Sequence, residues 1–249
     1  MQTFDSNILL FIALIIFCLV GCKPTPDAED VDKSLFSQSL VAHDSLGLFD
    51  QIGDLSFTKR IVSYDDKLVV RSDITQFHSY QFEPTVGGII YWSQRGDSTY
   101  LQRQDTLYYA FRNGKVDTSA STLKWVEATF SSSMFVLLQP FKLIEADSLY
   151  ESSFSLEENN YPSISPKYMD SGDEWTFILD PVSHLVVFNL VKHNDRYSLI
   201  ANESFQVVKG IKLHHKRSSY FVDQWAINRQ LNSTYVYDNY SIGLMKDSN

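Results

Sequence analysis

From Asp54 onward the hydrophobicity of the chain repeats every second residue, the period of a β-strand with one face on a core and the other in water. In residues 54–62, Leu55, Phe57 and Ile61 fall on one face, and Ser56, Thr58 and Arg60 on the other. Similar runs occupy residues 67–71, 74–82, 88–93, 98–103 and 106–112. The breaks between them carry turn chemistry: Asp65-Asp66, Pro84 to Gly88, Arg95-Gly96-Asp97 and Asn113-Gly114. Asn-Gly tolerates positive φ at both positions, which suits a tight hairpin. Strands joined this closely pair antiparallel, so the first half of the chain predicts a meander.

The period changes over residues 121–141. Leu123, Val126, Phe130, Met134, Leu137 and Leu138 recur at three- and four-residue spacing, and Trp125 and Phe135 widen the apolar face. This predicts a helix of three to four turns ending before Pro140. Residues 156–172, with Pro162 and Pro166, read as a turn-rich connection. A second β run follows at 174–180, 185–192, 197–204, 205–213, 216–222 and 234–242. The 185–192 segment is apolar on both faces and is expected to be central. Upstream, Leu35, Leu40, Leu46, Leu48 and Phe49 form a broken stripe, which predicts two short helices separated near His43–Gly47. The expectation is a mainly β (α+β) fold in one domain, residues 31–249. A curved antiparallel meander or half-barrel of about 10–12 strands would be covered by the N-terminal helices and one central helix.

The N-terminus is of a different kind. Residues 7–20 hold no charged side chain, and 14 residues are too few for a bilayer span of roughly 20 but fit a signal h-region. The following Leu19-Val20-Gly21-Cys22 resembles a bacterial lipobox, although the preceding segment carries Asp5 and no Lys or Arg. The resemblance implies a signal peptide at 1–21, cleavage between Gly21 and Cys22, acyl groups on Cys22, and a tether at 22–30. It places the protein in the cell envelope, lipid-anchored at the outer membrane. Lys23 stands where the inner-membrane retention signal of enteric bacteria has Asp, and Asp27-Ala28-Glu29-Asp30 loosely resembles the surface-export signals of Bacteroidota lipoproteins. Of the two cysteines, Cys18 lies in the segment removed, so the mature chain has no disulfide to form. The net charge is −9, or −8 without Asp5, and the longest basic run, His214 to Arg217, is short. Nucleic-acid binding needs a basic stripe and is set aside.

Helices leading into a long meander, then a helix and more strands behind a lipobox, resemble the half-barrel of the Lol-type lipoprotein carrier and receptor. More closely, residues 43–57 (HDSLGLFDQIGDLSF), 134–150, 175–190 and 197–213 look like an uncharacterised Bacteroidota lipoprotein family. That resemblance implies a half-barrel and brings no activity, cofactor or catalytic residue with it.

Enzyme signatures are missing. There is no G-x-S-x-G elbow, H-E-x-x-H or phosphate loop, and among 10 glycines only Gly87 and Gly88 are adjacent. His43, His78, His184, His193, His214 and His215 read as surface or core residues. His214 and His215 point to opposite faces of a strand and cannot share a metal. The acidic pairs Asp65-Asp66, Glu157-Glu158 and Asp173-Glu174 lie in turns, where acids are solvated. No metal or cofactor is implied. What remains is aromatic content: 17 Phe, 14 Tyr and 4 Trp. Phe57, Trp92, Tyr109, Phe111, Trp175 and Phe177 are the candidate lining of an apolar cavity for a lipid or acyl chain; equally, aromatics fill β cores. The reading is a membrane-anchored binding lipoprotein and not an enzyme. The alternatives are a structural lipoprotein with a closed core that contacts an envelope protein, and, weakest, a hydrolase.

Overall fold

The computed structural model describes residues 34–169 and 172–245. Gly21, Cys22, the 1–21 signal and the 22–30 tether lie outside the described residues. Helix α1 (Leu35–His43) is followed by a 3-10 turn at Phe49–Gln51 and six strands: β1 (Ile52–Tyr64), β2 (Val70–Gln81), β3 (Gly87–Gln94), β4 (Asp97–Gln104), β5 (Leu107–Arg112) and β6 (Lys115–Asp117). Helix α2 (Ala120–Leu137) and a second 3-10 turn, Phe141–Glu145, lead into β7 (Ser148–Leu156), β8 (Asn159–Lys167), β9 (Asp173–Leu179), β10 (Val186–His193), β11 (Arg196–Val208), β12 (Ile211–Val222) and β13 (Gln230–Leu244). The broken N-terminal stripe and the central helix are therefore as the sequence predicts.

Among the described residues, all 13 strands form one antiparallel sheet in the order β6-β5-β4-β3-β2-β1-β13-β12-β11-β10-β9-β8-β7. Each half is a meander, and the two halves are joined in the middle, where β1 pairs with β13 from Ile52↔Leu244 to Ser63↔Ser233. The outer edges, β6 and β7, do not meet; α2 connects them. Laid flat, such a sheet would be about 58 Å wide at ~4.8 Å per strand spacing. Helix α2 has 18 residues and spans about 27 Å. The sheet accordingly curls around the helix. Phe130 of α2 meets Tyr80 on β2 and Tyr108 on β5 at ring distances of 6.2 and 6.3 Å, while Phe135, about a turn later, meets Trp175 on β9 at 4.8 Å.

Both helices begin at serine caps. Ser34 Oγ accepts from Ser37 N at 3.1 Å, and Ser119 Oγ from Thr122 N at 3.4 Å. Asp117 reinforces the second cap, accepting from Ser119 N and Thr122 Oγ1 at 3.0 and 2.9 Å.

The concave core holds Leu55, Phe57, Tyr80, Ile90, Leu101 and Ala110 from β1–β5, under Val126, Phe130, Met134 and Leu137 of α2. Gly88 lets the helix approach: a Cβ there would lie 2.7 Å from Ser79 O and 3.3 Å from Phe130 Cε1. Under α1 a second group gathers Ile164, Phe177, Leu179 and Val186 with Leu35 and Phe36. On the convex face, Leu156, Ile178, Leu190 and Leu199 pack with Ala226 of the β12–β13 loop. Asp223 folds that loop back, its Oδ1 accepting from Trp225 N at 3.0 Å and Ile227 N at 3.1 Å. Strand β10 contributes to both faces, which explains its unbroken apolar run.

Several expectations differ. The runs at 67–71 and 74–82 are one strand, β2; the three runs at 197–204, 205–213 and 216–222 are two strands, β11 and β12; and β7 lies where the sequence predicts no strand. Residues 156–172, read as a connection, contain β8 with both prolines inside it. Proline removes a ladder donor and is confined to edges and irregularities. Strand β8 lies next to the edge and pairs with β9 only through Ser163 and Ile164, so Pro162 and Pro166 both fall outside that ladder.

Candidate functional site

At the end of α2 the chain turns through Gln139 and cis-Pro140 into the second 3-10 turn. This brings Phe141 flat against Phe49 of the first 3-10 turn, with centroids 3.8 Å apart and planes 8° from parallel. Beside the stack opens a cleft of about 320 Å³, at the lower end of the ~300–1,000 Å³ typical of ligand pockets. Phe49, Ile52, Phe82, Val86, Met134, Leu138 and Phe141 form its walls; Asp50, Glu83, Lys142 and Glu145 stand at the rim, the last two as an ion pair. A second cleft of about 260 Å³, bounded by Leu40, Val41 and Gly47, lies across the stack. The arrangement offers apolar walls with polar groups only around the opening. It can hold a hydrocarbon and contains no reactive constellation.

His43 anchors the wall behind the stack. Its Nε2 accepts from Val186 N at 3.2 Å, and its Nδ1 faces Lys212 O at 3.3 Å, so Nδ1 carries the proton. Phe205 and Phe141 lie edge-on at 5.2 and 6.4 Å. Burial lowers its pKa to about 4, because a charged imidazolium there would lose its water.

Two histidine–hydroxyl contacts bear on the hydrolase alternative. His78 Nδ1 lies 2.9 Å from Tyr80 Oη and 3.4 Å from Ser133 Oγ, with Nε2 donating to Gln76 Oε1 at 3.1 Å. This group is buried beneath α2, where it ties helix to sheet, and it lines neither cleft. Ser204, His215 and Asp238 follow one another across β11–β13 at 3.1 and 3.4 Å. They lie on the convex face, also away from both clefts, and hydrolysis would need a substrate site beside them. Among the described residues no group of His, Cys, Asp and Glu could hold a metal ion.

No family model matches the sequence, and no curated protein matches it. Solved structures do. A domain from Vibrio parahaemolyticus named for outer membrane lipoprotein sorting superposes with a TM-score of 0.50 at 10% identity, covering 88% of this chain and 95% of that one. A LolA superfamily protein from Nitrosomonas europaea gives 0.50 at 8% identity, covering 86% and 93%. A DUF1329 family protein from Desulfovibrio piger gives 0.54 at 7% identity, covering 86% and 92%. The chain has a LolA-like fold. At these identities the likeness concerns the fold alone, and it extends over nearly the whole length of each relative. Among the described residues no helix is long and apolar enough to cross a membrane.

The six aromatic candidates are scattered relative to this site. Phe57 and Phe177 are 1% and 0% exposed within the core. Trp92 packs edge-on against Trp125 at 6.3 Å, and Trp175 against Phe135. Tyr109 and Phe111 point the other way, to the convex face, because neighbouring Ala110 and Tyr108 face α2. None of the six lines either cleft. The cleft residues come instead from the 3-10 turns, the β2–β3 loop and the end of α2, with Pro140 marking the turn that assembles them.

Proposed function

We propose that the protein is an envelope lipoprotein, held to a membrane by acyl groups on Cys22, whose half-barrel carries an apolar ligand such as a lipid or acyl chain. The observation that carries this reading is the end cleft, whose walls are apolar and whose charged groups are confined to the rim. The LolA-like fold supports it. So does the lipobox, since two or more acyl chains give stable anchoring where one gives marginal binding.

The elements described all lie within residues 34–245, so a chain beginning at Lys23 keeps them. Purified without detergent, that chain is expected to take up a fluorescent fatty acid, and Val86→Trp, which fills the cleft, to abolish uptake with an unchanged circular dichroism spectrum. No uptake by the parent chain, or undiminished uptake by Val86→Trp, would refute the cleft reading. The anchor is tested separately. In cells fed labelled palmitate the full chain is expected to carry label and fractionate with membranes, and Cys22→Ser to lose both properties; equal behaviour of the two would rule the anchor out.

The filled core beneath α2, with Phe57 and Phe177 almost fully buried, favours a second reading. In it the domain is closed and contacts an envelope protein, which crosslinking in the native envelope would capture.

A further inference from the structure

The inward positions of β1 read Leu55, Phe57, Lys59, Ile61, Ser63, with one cation in an otherwise apolar and small-residue series. Lys59 sits between Gln76 on β2 and Tyr237 on β13, its Nζ 5.2 and 5.5 Å from the ring centroids of Tyr235 and Tyr237. One strand further, Arg217 of β12 faces Tyr235 and is only 2% exposed. Its Nε donates to Asn202 Oδ1 at 2.7 Å and its Nη2 to Asn189 Oδ1 at 3.3 Å. Asn189 Oδ1 also accepts from Asn202 Nδ2 at 3.1 Å, which fixes the amide and leaves the fully buried Asn189 Nδ2 without an acceptor.

The acids of these strands are turned to the convex face. Asp73 binds Arg60, Glu203 binds Ser218, and Asp238 binds Gln206 and His215. Among the described residues neither Lys59 nor Arg217 is paired with a carboxylate. Lys59 and Arg217 also reach the Tyr237 hydroxyl, yet a buried guanidinium with only neutral acceptors and no counter-ion is costly. Access exists on the same floor. Helix α2 packs on β4 and β5, and α1 on β8 and β12; between them Lys59, Ile61, Gln76 and Tyr235 are only partly buried.

We propose that Lys59 and Arg217, with the amide of Asn189, form a binding site on the concave floor for an anionic group, a carboxylate or a phosphate. The site is separate from the end cleft, and either can fail without the other. Tyr237 supports it: burial alone would raise its pKa, yet the adjacent Lys59 and Arg217 bring it below the usual tyrosine value, so negative charge is favoured at this spot.

The test uses the chain beginning at Lys23 and three probes in calorimetric titrations: decanoate, decanol and inorganic phosphate. Decanol shares the chain of decanoate without its charge and reports the apolar cleft. Decanoate is expected to bind more tightly than decanol, and Lys59→Gln to weaken decanoate about tenfold while leaving decanol unchanged. Phosphate binding that is lost in Lys59→Gln also supports the site and identifies a free anion as sufficient; decanoate binding without phosphate binding assigns it to the head group of an amphiphile. Equal affinity for decanoate and decanol with no phosphate bound, or unchanged anion binding in Lys59→Gln, overturns the proposal. Lys59 is partly exposed, so the variant is expected to fold, which its circular dichroism spectrum checks.

Discussion

Phe130→Ala is expected to lower the unfolding free energy by about 3–5 kcal/mol, a large share of the ~5–15 kcal/mol that holds a domain together. Phe130 is fully buried at the middle of α2, between Tyr80 and Tyr108 and against Gly88. Its removal leaves a cavity that cannot collapse, because Gly88 offers no side chain to fill it and the strands on either side are held in register. The loss also acts on the segment that connects the two sheet edges. Urea unfolding should show a lowered midpoint with an unchanged slope. A change below about 1 kcal/mol would mean that α2 is not packed as described, since even modest core truncations exceed this.

Acidification is expected to destabilise the fold well above the usual carboxylate range. His43 titrates near 4 when folded and near its ordinary value of 6.5 when unfolded. Between those values the unfolded chain binds the extra proton, so stability rises with pH across the window. The contribution is complete above about pH 6.5 and is lost as pH falls towards 4. It amounts to about 3 kcal/mol at ~1.36 kcal/mol per pKa unit. His78 and His214 act in the same direction, since burial holds both well below the ordinary value. Urea midpoints measured from pH 8 to pH 4 should be flat above 7 and fall steeply below 6.5. In His43→Gln the midpoint should start lower at pH 7 and fall less between 6.5 and 4. A parent chain with constant stability down to pH 4.5 would contradict the burial of His43.

The β content was readable because half-buried strands impose a two-residue period, and α2 because its apolar residues recur at three and four. Strand β7 was not: as an edge strand with most of its residues exposed, it has no apolar phase to detect. Strand β8 was hidden by prolines that only an under-paired strand accommodates. The error of phase on β5 has a physical cause. Ala110 points inward because α2 passes close above it, and the bulkier Tyr109 and Phe111 take the convex side. Bulk alone does not identify the inner face where a helix presses on the sheet. The end cleft was illegible because it is assembled from loops and turns, which have no period. Lys59 is the contrary case: a charged residue at the inward phase, between Phe57 and Ile61, is visible in the sequence once the phase of β1 is taken seriously.

The seam between β1 and β13 has a consequence for how such a chain comes into being. Its two strands are the first and the last of the described strands in chain order, so the middle of the sheet stays unzipped until the 15-residue strand β13 has emerged. Pairings between such distant parts of a chain form slowly. Until then each half presents one long raw edge, β1 on one side and β12 on the other, with donors and acceptors that another molecule can capture. A chain lacking residues from Gln230 on would keep both half-sheets and the Phe49–Phe141 stack itself, though not Met245 of the cleft beside it, and would remain two open sheets inviting aggregation. Docking of β13 against β1, rather than growth of either half, is the step that closes this seam.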